Sequence, residues 1–129
     1  MKKREKKKDF EIKFYESILK ERPDFIQVLI SLGDTYTRKG FYDEGLEVDK
    51  KLTRLKPDCP IVYYNLACSL SLLGKTDEAL AQLKKAVLLG YDDIVYMLKD
   101  KDLENVRKHP KFNVFIDKLN KSIQAEWTK

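Results

Sequence analysis

Cysteine, histidine and tryptophan are nearly missing from this chain, with two, one and one copies in 129 residues. Cys59 stands beside a proline and Cys68 lies within an apolar stretch. No CxxC and no Cys/His cluster accompanies them, so neither a disulfide framework nor a zinc site is expected, and both read as reduced structural thiols. The lone histidine, His109, falls in Arg107-Lys108-His109-Pro110 and reads as a solvent-exposed side chain. No nucleophile motif, phosphate-binding loop or metal spacing accompanies it, so no enzyme, cofactor or small-molecule substrate is expected. Five glycines and four prolines are too few for a collagenous or low-complexity chain. No apolar run approaches the roughly 18 to 20 residues that cross a bilayer. The basic start leads into Asp9-Phe10-Glu11 rather than an apolar signal core, so the chain reads as cytoplasmic with no membrane contact.

Charge of one sign is also missing from most of the chain. The net charge of +5 resides in residues 1–8, which hold six basic side chains and one acid, leaving twenty of each sign in residues 9–129. A basic arm on a neutral body lacks the domain-wide basic face that duplex binding usually requires, so nucleic acid is not an expected partner. The arm admits two readings: a solvated end leading into a helix, or a contact for acidic partners. With 43% hydrophobic and 36% charged residues, the rest has the composition of one helix-rich domain with a core of its own.

What is present is a period of 34. Pro23-Asp24 returns as Pro57-Asp58, Gly40 as Gly74, Asp43-Glu44 as Asp77-Glu78, and Leu32 as Leu66. The lines Ile12, Leu46, Leu80 and Ile18, Leu52, Ala86 run through three copies. Each unit resolves into two amphipathic helices, because apolar residues recur at three- and four-residue spacing between punctuating glycines and prolines. Phe25, Val28, Leu29, Leu32 and Tyr36 form one stripe and Tyr42, Leu46, Leu52 and Leu55 the next, with Gly40 supplying the left-handed residue between them. In the following copy Pro60 suits the first turn of a helix running to about Leu73. Gly74 ends it, Thr76 is placed to cap the next helix, and Gly90 stops that one.

These residues resemble the tetratricopeptide repeat. Leu29-x2-Leu32-Gly33-x2-Tyr36, Gly45 and Pro57 fit one copy of its pattern, and Tyr63-x2-Leu66-Ala67-x2-Leu70, Ala79 and Leu83 fit a second. Tyr15, Ile18 and Pro23 resemble the second helix of a preceding copy. The resemblance implies an all-α fold, an α-solenoid of antiparallel helix pairs. It would hold about two full repeats, a leading half-repeat and a C-terminal capping helix, arranged as a basic arm at 1–8, repeats at 9–92 and a helical cap at 93–129 within the same domain. Asp49 departs from the pattern, standing where the family usually buries an aromatic residue. Either the second helix is rotated and more exposed, or Asp49 is a buried acid held by a partner such as Tyr64 or Arg38.

Both ends read as caps. Before the first full repeat, Phe10, Phe14 and Ile18 are expected to face inward. After the second, residues 92–98 begin a third unit that breaks off at Lys99-Asp100-Lys101-Asp102. Phe112, Ile116, Leu119 and Ile123 then form one stripe, either laid across the open end of the stack or used for dimerisation. The stretch Asp102-Leu103-x3-Arg107-x2-Pro110-x-Phe112 is similar to a terminal segment found after such repeats in many bacterial proteins. Trp127 either docks back or is presented to a partner.

The resemblance implies a concave groove, lined by the first helix of each repeat, that binds a peptide or protein segment. Carried over by position, the groove residues are Gln27, Ile30, Ser31, Asp34 and Arg38 from one repeat and Ile61, Tyr64, Asn65, Cys68 and Leu72 from the next. One version of the family grips a chaperone's C-terminal carboxylate with lysine, arginine and asparagine. Here Asn65 fits one such position, but Ile30 and Asp34 replace lysine and asparagine, and Asp34 would repel a carboxylate. The alternative role is a scaffold or assembly subunit that docks or self-associates through its last helix, as a monomer or weak homodimer.

Overall fold

The structure, a computed structural model, describes residues 7–127. Among the described residues it is all-helical, running α1 (Phe10–Glu21), α2 (Ile26–Arg38), α3 (Tyr42–Leu55), α4 (Pro60–Leu72), α5 (Thr76–Leu88) and α6 (Ile94–Lys99). A 3-10 turn (Lys101–Leu103), α7 (Glu104–Arg107) and α8 (Phe112–Trp127) follow. The first helices of successive units begin at 26, 60 and 94, and the second helices at 42 and 76, which is the 34-residue period of the sequence. The fold is the helical-repeat solenoid that this period predicts.

The punctuation falls where glycine is needed. Gly40, Gly74 and Gly90 each follow a helix with positive φ, a conformation that costs any residue with a Cβ. The capping expected of Thr76 differs. Lys75 is the N-cap, Thr76 is the first helical residue, and no side-chain cap bond forms there. A cap does form at α1, where the Asp9 carboxylate accepts the Ile12 N–H.

Helix α4 is the centre of the stack. Nine of its thirteen residues are buried, because α3, α5 and the C-terminal turn all pack on it. Its Val62, Leu66, Ala67 and Leu70 share a core with Leu52, Leu83, Met97 and Leu103. Each fully buried valine, leucine or methionine in that set contributes about 1.5–3 kcal/mol.

The ends differ from expectation in detail. Phe10 and Phe14 do not face inward: they are 82% and 51% exposed and stack on each other 6.0 Å apart. Helix α1 packs on α2, so the side it buries is the one carrying Ile12, with Tyr15 and Leu19 beside it. Phe10 and Phe14 lie off that face. At the other end Phe112 and Ile116 are buried in the core, Leu119 is half-buried and Ile123 exposed, so only the start of the α8 stripe is covered. Residues 1–6 of the basic arm lie outside the described residues, while Lys8 pairs with Glu16 at 2.8 Å.

Candidate functional site

The third unit is the irregular one. Helix α6 stops after six residues, and the chain turns back through the 3-10 turn and α7 to pack on α4 and α5. Several bonds hold this return. Asn105 donates to the Ser71 carbonyl at 2.8 Å and the Val106 N–H donates to the Ser71 hydroxyl at 3.1 Å. Arg107 donates to the carbonyls of Met97 and Asp100. His109 belongs to the same closure: its ring lies 2.6 Å from the Asp77 carboxylate and its side chain is only 11% exposed. The solvent-exposed reading of His109 is corrected accordingly, because Pro110 turns the chain so that the ring folds onto the start of α5.

Between α2, α4 and this return lies a groove of about 510 Å³. Helix α2 contributes Ile30, Gly33, Asp34 and Thr37, and α4 contributes Ile61, Tyr64, Asn65 and Cys68. The far wall consists of Tyr91, Asp93, Tyr96, Asp100 and Asp102, and Asp49 reaches in from α3. Six of the expected residues are thus brought together: Ile30, Asp34, Ile61, Tyr64, Asn65 and Cys68. The other four are not part of this lining. Gln27 is exposed, Ser31 and Leu72 are half-buried, and Arg38 lies beside Asp34 and Glu11.

Asp49 is buried, 4% exposed, and its partner is neither Tyr64 nor Arg38. Ser69 on α4 donates to its Oδ2 at 2.5 Å. The absence of a side chain at Gly33 makes room for it, since a Cβ there would stand 3.1 Å from Asp49 Oδ1 and 3.2 Å from Val48. Burial pushes the Asp49 carboxyl up to about 7, with the charge of Asp34 adding to the rise and the Ser69 bond opposing it.

The far wall is built on Tyr64. Its hydroxyl donates to Asp100 Oδ2 at 2.6 Å, and its ring stacks on Tyr91 with centroids 4.3 Å apart. Asp100 also accepts the Asp102 N–H at 3.0 Å and a long thiol contact from Cys68 at 3.8 Å. Burial, then the neighbouring Asp100 charge, pushes the Cys68 thiol far above its usual value. Burial likewise raises Asp102, and Asp100 raises it further. Asp93 caps α6 by accepting the Tyr96 N–H.

The groove's lining holds five aspartates and no lysine, arginine or histidine. Two of the five could have been read from the period, because a step of 34 carries Asp34 through Cys68 to Asp102. Asp93 and Asp100 have no repeat equivalent of their type: Asp93 lines the wall as the N-cap of α6, and Asp100 lies at the early stop of that helix.

A family model described as tetratricopeptide repeat matches residues 61–89, which are most of α4 and all of α5. The chain is also 33% identical over 87 residues to Tetratricopeptide repeat protein 13 of Homo sapiens, an alignment that covers 63% of this chain and 10% of that protein. The chain therefore spans about a tenth of the length of the curated relative it matches.

Proposed function

We propose that this tetratricopeptide-repeat chain holds a segment of a partner protein in the groove between α2, α4 and the residues that follow Gly90. Repeats of this kind mediate protein–protein interaction and are typically not enzymes. The observation that supports the groove as the place is its mixed lining. Ile61 and Tyr96 leave apolar surface open to solvent beside polar groups that can fix an orientation. On this reading residues 93–127 belong to the binding unit rather than to a separate domain, since they supply one wall. Five carboxylates in that lining also disfavour a ligand held by its own C-terminal carboxylate.

The test fills the groove. Ile61→Trp and Asn65→Trp, made singly, place bulk where a segment would lie, at positions that are not fully buried. Short random peptides selected on the unaltered chain should lose about tenfold or more in affinity for either variant. Circular dichroism should meanwhile show unchanged helicity. Equal binding to both variants would rule the groove out.

A further inference from the structure

We propose that the groove recognises a basic segment, seating a lysine or arginine side chain of the partner against Asp34, Asp49 and Asp102, with the apolar stem on Tyr96 and Ile61; this rests on the groove being the binding site. Three observations carry it. The first is the local charge. Residues 9–129 are neutral as a whole, yet the groove's lining has five carboxylates and no basic side chain. The cations nearest to it do little to cancel this. Arg38 stands on the rim, 3.6 Å from Asp34 and exposed, where such a pair is weak. Arg107 spends its guanidinium on backbone carbonyls, and Lys101 lies exposed beside Asp102.

The second is Asp49. The side chain is nine-tenths buried and faces the groove past Gly33, yet it receives one hydrogen bond, from Ser69 to Oδ2. Among the described residues no donor reaches its Oδ1, and that oxygen is not sealed off, since no buried side-chain oxygen there lacks a partner. Oδ1 is therefore open to the groove, and a cationic N–H entering there would complete the carboxylate's hydrogen bonding.

The third is mutual repulsion. The Asp34 charge works against ionisation of both Asp49 and Asp102, and Asp100 does the same to Asp102, so an entering cation relieves several unfavourable terms at once. The aspartates are spread along the groove, and among the described residues no three acids, cysteines or histidines converge as metal ligands would. An extended chain carrying a long basic side chain matches that spread. The methylene stem of lysine or arginine suits a wall of tyrosine and isoleucine, and its charged head suits carboxylates beside the face of an aromatic ring.

The experiment selects short random peptides on the full chain and measures their affinity for Asp34→Asn/Asp102→Asn, for Asp49→Asn, and for the groove-filling Ile61→Trp. Enrichment of lysine and arginine is expected, with a loss of about tenfold or more in the aspartate variants and on raising the salt. Asp43→Asn, outside the groove, should bind as the unaltered chain does. Peptides that bind, that Ile61→Trp blocks, but that show no basic enrichment or no dependence on the aspartates would overturn the basic-segment proposal and leave the groove intact. Peptides that bind Ile61→Trp undiminished, or a failure to select any, would remove the groove and this proposal together. Self-association of the full chain that Asp34→Asn/Asp102→Asn abolishes would make a second copy the occupant, and would overturn a separate partner.

Discussion

The Tyr64 hydroxyl, on the central helix, donates to Asp100 at 2.6 Å across 36 residues of sequence, and so ties the irregular third unit to the regular second one. The direction of the bond is fixed by chemistry. Burial and the neighbouring carboxylate hold the Tyr64 phenol far above its usual value, so it keeps its proton and acts as the donor.

Removing that donor should therefore cost more than one ordinary hydrogen bond. Tyr64→Phe keeps the ring stack on Tyr91 but leaves Asp100 Oδ2 with only the long Cys68 contact. A loss of about 1–3 kcal/mol is expected, read as a lower midpoint in urea unfolding. An unchanged midpoint would show that the bond adds nothing to closing the wall.

Asp49 should make stability fall as pH rises. Burial pushes its carboxyl up to about 7 in the fold, against an ordinary value of 3.8. Below the lower value both folded and unfolded chains hold the proton and nothing is lost. Between the two values the unfolded chain releases its proton first, so stability drops, and above the upper value the loss levels off. The full effect is bounded by about 4 kcal/mol. Asp49→Asn lacks this titration, so its stability advantage over the unaltered chain should widen from pH 4 to pH 7 and then stay constant. A difference that is flat across this range would show that Asp49 is ionised throughout.

The two cysteines should react at very different rates. Cys68 is buried, with its thiol pushed up by burial and then by Asp100, whereas Cys59 is half-buried at the start of α4. Alkylation of the native chain at mildly alkaline pH, followed by peptide mass mapping, should label Cys59 first and Cys68 only after unfolding. Equal labelling would mean that the floor of the groove opens readily.

The single tryptophan reports on the last helix. Trp127 is 84% exposed, so native fluorescence should be that of a solvated indole, open to acrylamide quenching and independent of concentration. The first half of the α8 stripe is already used, since Phe112 and Ile116 are buried within the chain. A blue shift on raising the concentration would instead favour self-association through Leu119, Ile123 and Trp127.

The repeat was legible in the sequence because a solenoid writes its geometry as a period. Gly40 and Gly74 mark helix ends that only a residue without a Cβ accepts cheaply, and Leu52 and Ala86 mark a position that the two full units bury, while its equivalent Ile18 at the leading end is half-buried. The expectation carried over by position from the tetratricopeptide-repeat resemblance named Ile30, Asp34, Ile61, Tyr64, Asn65 and Cys68, which do line the groove. It failed where the period fails. Asp100 reaches the wall through a turn with no counterpart in the earlier units, and Ser69 became the partner of Asp49 through a contact between adjacent repeats that neither local sequence displays. Phe10 and Phe14 misled for a related reason: an apolar pair four residues apart states that a helix has an apolar side, but not which side its neighbour covers.

The premature end of α6 also gives the molecule a polarity. Regular walls on both sides would present near-identical surfaces at each step, and a bound strand could shift by one repeat and find much the same contacts. Here one bank is an ordinary helix and the other is a doubled-back turn set with aspartates. A ligand threaded in the reverse direction, or slipped by one unit, would face the wrong bank. Were the groove to hold a chain segment as proposed, the broken repeat would set that segment's direction and reading frame.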